Sequence, residues 1–368
     1  MIEDAVIEKL EKWGEGKKAA PHKVHLYPTN RCNLRCPFCY QQLNPYDYSD
    51  VMPKEKWVSI IQELGEMGTD IIRISGGGEP LLVPEKTLPM MEEVKNQNMR
   101  GRMTTNGTLF DENSISRTVE MGWDHMVFSV DGPDAETHDF HRGRKGAFEK
   151  VTENIRKFEE EKRKNEKKTP SLEFSSVLSS KNWKKVPETI KLAKELGVDV
   201  ITFEPLFVSN PKVEDLKLSK RERKKFLKKA PKWKDLAESI GIYTNIDTVI
   251  DVGEVEKTGN LKEEIIERSE ENLQKNEKSE NPFLSLPCYE AWLWPKIEAN
   301  GDVGPCSTNL LNANIKGKSF KDVWYGKEFK NFRKLIKEKR LPSGCENCVS
   351  THIPLNKEIR RKLKGNIG

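Results

Sequence analysis

Residues Cys32-Asn-Leu-Arg-Cys-Pro-Phe-Cys-Tyr40 place three cysteines in a short segment that follows a predicted strand at 24–27. Three thiolates so close together can bind three irons of a [4Fe–4S] cube and leave one iron without a protein ligand. An open metal position can bind a cofactor or a substrate, as in a catalytic zinc site. Two alternatives stay open at this point. One is a structural zinc site completed by His22 or His25, and the other is an electron-transfer cluster, which normally has four cysteines.

Four more cysteines lie near the end of the chain, so the seven form a group of three and a group of four. The second group comprises Cys288, Cys306, Cys345 and Cys348. Four thiolates can close a cube completely. A structural zinc ribbon is the alternative, but it normally has two tight CxxC pairs, and only the last pair here is tight. Because disulfides are rare in cytosolic proteins, grouped cysteines indicate metal binding.

The composition is that of a globular protein with a heavily solvated surface: of 368 residues, 35% are hydrophobic and 33% are charged. No apolar run is long enough to span a bilayer, and the charged N-terminus has no signal region. We therefore expect a cytoplasmic protein with no membrane partner. The net charge of +5 does not by itself indicate nucleic-acid binding, which needs charge clustered on one face. We interpret the basic run at 217–234 as the solvated face of a helix, and a dock for an acidic partner or a phosphate-bearing substrate as the alternative.

A short phrase that occurs three times indicates the fold class. Met67, Met121 and Leu196 are each followed by glycine and then by an apolar run. Glycine takes the left-handed conformation that ends a helix, and the apolar run predicts a buried strand. Six strands are predicted, at 24–27, 71–75, 102–105, 125–130, 172–178 and 198–204. Their alternation with helices predicts an α/β fold with a parallel sheet. Six units favour a partial (β/α)6 barrel, although the pattern fits a Rossmann-like sheet almost as well.

The composition also changes along the chain, and four regions are predicted. They are an N-terminal helical extension at 1–22, the barrel at 23–210, a charged helical linker region at 211–284 and a small cluster-binding domain at 285–368. In the last region, Asn300-Gly301 predicts a hairpin turn. So small a domain has little core of its own, and a metal centre would supply stability.

The first cysteine segment resembles the signature of the radical S-adenosylmethionine (SAM) superfamily, CxxxCxxC with an aromatic residue before the last cysteine, here Phe38. The next strand end, Gly76-Gly77-Gly78-Glu79-Pro80, resembles the GGE motif of that family. Two further strand ends, Thr105-Asn106-Gly107 and Ser129-Val-Asp131-Gly132, resemble the family's corresponding positions, with Arg142 downstream. The resemblance covers about residues 20–210 and resumes in the C-terminal cysteine group.

The resemblance implies a role for each of these residues. Its first implication is a SAM-binding [4Fe–4S] cluster on Cys32, Cys36 and Cys39. Glu79 and the carbonyls of the three glycines would accept hydrogen bonds from the amino group of SAM. The strand ends that would approach the carboxylate and ribose of SAM are those at Thr105, Asn106, Ser129 and Asp131. Arg142 would meet the SAM carboxylate or, equally well, form a surface ion pair.

The second cysteine group, with the pattern C-x12-G-x4-C followed by CxxC, resembles the SPASM and twitch class of radical SAM proteins. SPASM domains hold two auxiliary clusters, and this chain has cysteines for one, so the resemblance implies the shorter, twitch-like form. A closed auxiliary [4Fe–4S] cluster would accept an electron from the substrate radical. Hydrogen abstraction by a 5′-deoxyadenosyl radical followed by electron loss predicts a net oxidation or a bond formation.

The sequence leaves the substrate open between a peptide and a small metabolite. About twenty residues precede the first strand, too few for a leader-binding module, which weakens a peptide role. The expected partner is an external electron donor such as flavodoxin or ferredoxin. Two other functions stay open, a redox-neutral epimerase and a non-enzymatic iron–sulfur or zinc-binding protein. Four side chains are candidate proton acceptors, each more easily interpreted as structural: Glu204, His138, His141 and Tyr289.

Overall fold

The computed structural model describes residues 3–39, 52–207, 211–249, 265–266, 282–306, 311, 313–345, 348 and 352–365. Within these ranges, nine strands form one open sheet. The strands are β1 (Lys23–Leu26), β2 (Ile71–Ile74), β3 (Arg100–Thr105), β4 (His125–Ser129), β5 (Ser171–Leu178), β6 (Val200–Pro205), β7 (Tyr243–Thr244), β8 (Lys296–Ile297) and β9 (Val303–Gly304). Their order in the sheet is β7-β6-β5-β4-β3-β2-β1-β8-β9.

The first six strands are parallel and adjacent in chain order. A doubly wound sheet reverses its strand order at a switch point, and no reversal occurs between β1 and β6. The order therefore favours the partial barrel over the Rossmann-like alternative. All six predicted strands are confirmed, with ends shifted by one or two residues.

Helices follow the strands and cover one face of the sheet. They are α1 (Asp4–Gly14), α2 (Lys54–Met67), α3 (Pro84–Asn96), α4 (Glu112–Glu120), α5 (Ala135–Arg142), α6 (Ala147–Lys164), α7 (Val186–Glu195), α8 (Pro211–Glu214), α9 (Lys220–Ser239), α10 (Glu290–Leu293), α11 (Phe320–Trp324), α12 (Lys327–Lys337) and α13 (His352–Gly365). The glycines of the recurring phrase, Gly68, Gly122 and Gly197, have φ of 86°, 68° and 72°. These values confirm the predicted left-handed helix ends.

The two faces of the sheet differ in chemistry because side chains alternate along each strand. The outer face is apolar and packs on the helices, as Ile72 of β2 and Met103 of β3 do against Leu64 of α2 and its neighbours. The opposite face, here called the inner face, carries polar and charged side chains at partly buried positions, among them Arg73 and Arg102. A doubly wound sheet buries both faces under helices. The polar inner face therefore also fits the lumen of a partial barrel.

The C-terminal region contributes to the same sheet. Strand β8 pairs in parallel with β1, and β9 returns antiparallel to β8, which confirms the predicted hairpin turn. A second hydrophobic core lies among α10, α12 and α13, and three of its side chains, Val6, Ile7 and Leu10, come from α1. The N-terminal helix thus packs against the C-terminal region.

The basic run forms most of α9, whose apolar side buries Phe226, Ala230, Trp233 and Ala237. Most of its lysines are exposed, in agreement with the interpretation as a solvated helix face. Within the predicted linker region at 211–284, residues 250–264 and 267–281 lie outside the described residues. In the described part of the chain, no helix is long and apolar enough to cross a membrane.

Candidate active site

The cysteine loop leaves β1 at the carboxyl ends of the strands and is bonded to the glycine loop that leaves β2. The backbone N–H of Gly78 donates to the carbonyl of Thr29 at 2.7 Å, and the N–H of Glu79 donates to the carbonyl of Arg31 at 2.8 Å. A Cβ on Gly78 would lie 1.8 Å from the Arg31 carbonyl oxygen. Glycine is therefore required at this position, because the two backbones approach too closely for any side chain.

Glu79 links the glycine loop to the end of β3. Its buried carboxylate accepts hydrogen bonds from the Thr105 hydroxyl at 2.7 Å, from the Asn106 N–H at 2.7 Å and from the Leu81 N–H at 3.2 Å. Burial raises the pKa of Glu79, and these three donors oppose that shift. A carboxylate offers about four acceptor positions, so three are already used within the chain. Its role toward the amino group of SAM stays a prediction.

Asn106 reaches from the end of β3 into the cysteine loop. Its amide donates to the Asn33 side-chain oxygen at 2.8 Å and lies 4.0 Å from the Cys32 sulfur. The Asn33 amide in turn donates to the Thr108 hydroxyl at 2.8 Å. The predicted site residues Thr105 and Asn106 therefore both belong to the hydrogen-bond network that positions the cysteine loop.

The end of α5 holds the other side of the cysteine loop. The Arg142 guanidinium forms a buried ion pair with Asp131, with Nη2 and Oδ2 2.5 Å apart, and its Nη1 lies 3.8 Å from the Cys36 sulfur. The Phe38 ring lies against the same guanidinium, 5.9 Å from centroid to Cζ. The pair is buried, whereas the sequence alternative was a surface ion pair. That alternative is wrong about exposure, because Arg142 is only 7% exposed.

Arg142 and Asp131 have further partners in the chain. The Arg142 carbonyl accepts from the Arg35 N–H at 3.2 Å. The second Asp131 oxygen accepts from the Val177 N–H at 2.8 Å. Ser129, at the end of β4, is partly buried on the inner face, opposite Ser175 in the register of the sheet.

The donor set of the cysteine loop fits an iron–sulfur cluster. None of the seven cysteines is in a disulfide. Burial raises the pKa of Cys32 to about 11, and Glu79, Cys36 and Cys39 add to the shift through their negative charges. These charges come from the same loop and the glycine loop beside it, and a bound metal cation would reverse the shift and ionise the thiols. Soft thiolates in a set of three favour iron–sulfur ligation with one iron left for another ligand.

In the C-terminal group, the Cys348 N–H donates to the Cys345 carbonyl at 3.1 Å. Burial raises the pKa of Cys288 well above its usual value, and the charges of Glu290, Cys306 and Cys348 raise it further. Zinc bound at about 2.3 Å would hold its sulfurs roughly 4 Å apart. Among the described residues, no three His, Cys, Asp or Glu side chains lie close enough together to hold a single metal ion. The choice between an iron–sulfur cluster and zinc at each site rests on the number and spacing of the thiols in each group.

Three of the four candidate proton acceptors have structural surroundings. Both His141 ring nitrogens are within 2.7 Å of a partner, the Thr137 carbonyl and the Ser179 hydroxyl. The Tyr289 hydroxyl donates to a backbone carbonyl at 2.5 Å. His138 is fully buried, and burial with the charge of Arg142 lowers its pKa well below the usual value.

Glu204 differs from these three. It lies partly exposed at the end of β6, and burial raises its pKa. Among the described residues, its carboxyl has no hydrogen-bond or ion-pair partner.

The sequence interpretation missed three contributors to the site: Asn33, Arg35 and Tyr27. Tyr27 lies beneath Gly76, where a Cβ would be 2.4 Å from its ring. Asn33 lies inside the cysteine motif, and that position indicated a residue of the site. Only the fold shows that its side chain accepts a hydrogen bond from Asn106.

Two family models match the chain. The model described as the radical SAM superfamily matches residues 26–172, which include the first cysteine group and the glycine loop. The SPASM model, described as an iron–sulfur cluster-binding domain, matches residues 288–349, which include all four C-terminal cysteines.

Individual proteins give shorter matches. The chain is 31% identical to Fe-coproporphyrin III synthase of Methanosarcina barkeri over 176 residues, 48% of this chain and 41% of that protein. It is 31% identical to the sporulation killing factor maturation protein SkfB of Bacillus subtilis over 140 residues, 38% of this chain and 33% of that protein. The chain spans less than half the length of each relative.

A solved structure matches over most of the chain. Streptococcus suis SuiB bound to S-adenosylmethionine superposes with a TM-score of 0.64 and 16% identity, covering 89% of this chain and 71% of that one. At this identity the match shows the fold.

Proposed function

We propose that this chain, a member of the radical SAM superfamily with a C-terminal SPASM-type domain, uses SAM and two iron–sulfur clusters to oxidise a peptide or small molecule, or to form a bond in it. The observation that carries the proposal is the unequal number of thiols in the two groups. Three lie in one loop at the carboxyl ends of the strands, and four lie in the C-terminal region. Three ligands leave a position for SAM, and four leave none.

Cys32, Cys36 and Cys39 would hold the first cluster, and the four C-terminal cysteines would hold the second. When bound, SAM and the first cluster supply a 5′-deoxyadenosyl radical that removes a hydrogen atom from the substrate, while the second cluster supplies an acceptor for the electron left behind. The chain would position SAM, the clusters and the substrate, and would shield the reaction from water. Its glycine loop, the end of β3 and the end of α5 fix the cysteine loop on three sides.

A substrate that loses a hydrogen atom and then an electron must also lose a proton. Glu204 is the acceptor that the geometry supports best, because its carboxyl is partly exposed at the end of β6. Burial raises the pKa of this carboxyl, which brings it closer to neutral pH and favours proton exchange there.

The relatives leave the substrate class open between two kinds. One is named a synthase of Fe-coproporphyrin III, and the other a maturation protein of a sporulation killing factor. Both fit a SAM-derived radical acting at the inner face, and neither name transfers to this chain.

Anaerobic reconstitution followed by incubation with SAM and dithionite tests the proposal. We expect about eight irons per chain, which is two cubes, and release of 5′-deoxyadenosine. The Cys36→Ala variant should retain about four irons per chain and should release no 5′-deoxyadenosine. Two zincs per chain in place of iron, or undiminished 5′-deoxyadenosine from Cys36→Ala, would refute the proposal. Deuterium uptake from heavy water into the product would indicate epimerisation in place of oxidation.

A further inference from the structure

The inner face carries a row of basic side chains that crosses five neighbouring strands. The sheet register places Lys296 of β8 beside His25 of β1, His25 beside Arg73 of β2, Arg73 beside Arg102 of β3, and Arg102 beside His125 of β4. We call this set the basic row. Like charges on adjacent strands repel, so such a row is destabilising unless acids or a bound anion compensate it.

Acidic side chains of the chain compensate both ends of the basic row. Glu298 accepts from Lys296, with Oε1 and Nζ 2.7 Å apart. The buried Glu173 carboxylate lies 2.9 Å from the Arg102 guanidinium and 2.8 Å from the His125 ring. These contacts reach Lys296, Arg102 and His125, and neither acid forms an ion pair with Arg73.

Arg73 stands at that centre. In the part of the chain that the structure describes, its side chain has no hydrogen-bond or ion-pair partner, and its Nε atom is buried. Burial and the neighbouring Arg102 guanidinium lower the pKa of Arg73, while Glu204 opposes that shift without forming an ion pair. This guanidinium is partly withdrawn from water and is repelled by Arg102, and an anion from outside the chain would offset that repulsion.

Arg73 also has a defined place relative to the proposed site of the radical. It lies two residues before Ser75, where the strand leads into the glycine loop, so it sits about 7 Å below the loop along β2. It is partly exposed on the inner face, so a ligand can reach it. A molecule anchored at Arg73 would extend upward toward the cysteine loop.

We propose that Arg73, at the centre of the basic row, binds a carboxylate or phosphate group of the substrate and so orients the rest of the substrate toward the cysteine loop. The inference rests on the proposed function for the identity of the bound molecule as the substrate. A guanidinium offers two parallel N–H donors to such a group, which gives direction as well as charge. The substrate class is thereby narrowed to molecules that carry an anionic oxygen group.

Anion titrations of the reconstituted enzyme test this. Succinate and inorganic phosphate are added separately at constant ionic strength, and the dissociation constants are measured by calorimetry. We expect at least one of the two to bind the wild type, and the arm that binds identifies the source as carboxylate or phosphate. Arg73→Gln should weaken that binding roughly tenfold or more. Arg73→Lys should give an intermediate loss, because lysine keeps the positive charge but lacks the two parallel N–H donors of the guanidinium.

Two further variants control the experiment. Glu204→Gln should strengthen anion binding severalfold, because it removes a nearby negative charge, and this opposite sign tests the inference even where Arg73→Gln fails to fold. Arg100→Gln removes the same charge from an exposed position on β3 that pairs with Glu3, and should leave the dissociation constant unchanged. Iron content and circular dichroism check the fold of each variant.

The outcomes separate this inference from the proposed function. Equal anion affinity in the wild type, Arg73→Gln and Glu204→Gln, or no binding of either anion, refutes the inference even in a preparation that releases 5′-deoxyadenosine. Anion binding that depends on Arg73, in a preparation that does not cleave SAM, refutes the proposed function.

Discussion

The two cysteine groups of this chain are built in different ways. The first lies in one loop, and backbone contacts from the glycine loop and from the end of α5 fix it; a Cβ on Gly78 or Gly143 would come within 1.8 or 2.2 Å of its carbonyls. The second collects its four thiols from separate segments around a hydrophobic core that includes Trp292 and Ile336. A loop held from outside keeps its shape with one ligand position empty. Separate segments depend more on the metal that joins them.

The largest effect expected from this comparison concerns Cys348→Ala, set against Cys36→Ala. Each should reduce the iron content from about eight to about four per chain. Cys348→Ala should still release 5′-deoxyadenosine, because the first group is intact, while the oxidised product falls sharply. Iron analysis and product quantification check this. Loss of 5′-deoxyadenosine in a folded Cys348→Ala would show that the two groups do not act separately.

The next effect concerns the Arg142–Asp131 ion pair, both of whose side chains are at most 8% exposed. Asp131→Asn leaves the guanidinium buried without its charge partner, and should lower the free energy of unfolding by about 3 kcal/mol or more. It should also reduce iron loading of the first group, because Arg142 lies beside Cys36. Urea denaturation and iron analysis measure both.

An exposed ion pair supplies the control for that variant. Lys150→Gln breaks the surface pair with Glu153 and should leave the unfolding midpoint where it is. Equal stability of Asp131→Asn and the wild type would contradict the role given to the buried pair.

Glycine substitutions give a smaller and more local effect. Gly78→Ala should displace the cysteine loop and empty the first group while the second keeps about four irons. Gly68→Ala is the matched control: its φ is 86° with nothing within 4 Å of the added Cβ. It should cost about 1–2 kcal/mol of unfolding free energy and retain both clusters. Full iron loading in Gly78→Ala would argue against the close approach of the two loops.

The smallest effect concerns the N-terminal cap of α4, a helix that has no role in either cysteine group. Asp111 caps this helix, and the hydroxyl and N–H of Ser114 lower the pKa of its carboxyl. Asp111→Ala should cost about 1 kcal/mol near pH 7. Because the pKa is lowered in the folded state, this contribution is present above the unfolded pKa and disappears as pH falls through the folded one. Denaturation at pH 7 and near pH 3 should show the difference shrink, with iron content unchanged.

The sequence predicted the six strands and the parallel sheet, because periodicity is a local signal. The spacing of the cysteines indicated two metal-binding groups, and their ligand roles stay a prediction. It did not predict that Glu79 bonds to Thr105 and Asn106, since those contacts join loops that follow different strands. Nor did it show that Arg142 pairs with Asp131 in the interior, because burial depends on how α5 packs on the cysteine loop. The sequence also did not predict the basic row, because its members lie on five strands and only the sheet register brings them together.

The pairing of β8 with β1 has a consequence for how the protein is made. Strand β1 leaves the ribosome before its partner β8, which follows more than 250 residues later. At ordinary translation speeds that interval lasts roughly tens of seconds, during which one edge of the nascent sheet has no neighbour. Unpaired edges invite contact with other chains. The edge of β1 therefore becomes paired only when β8 has been made.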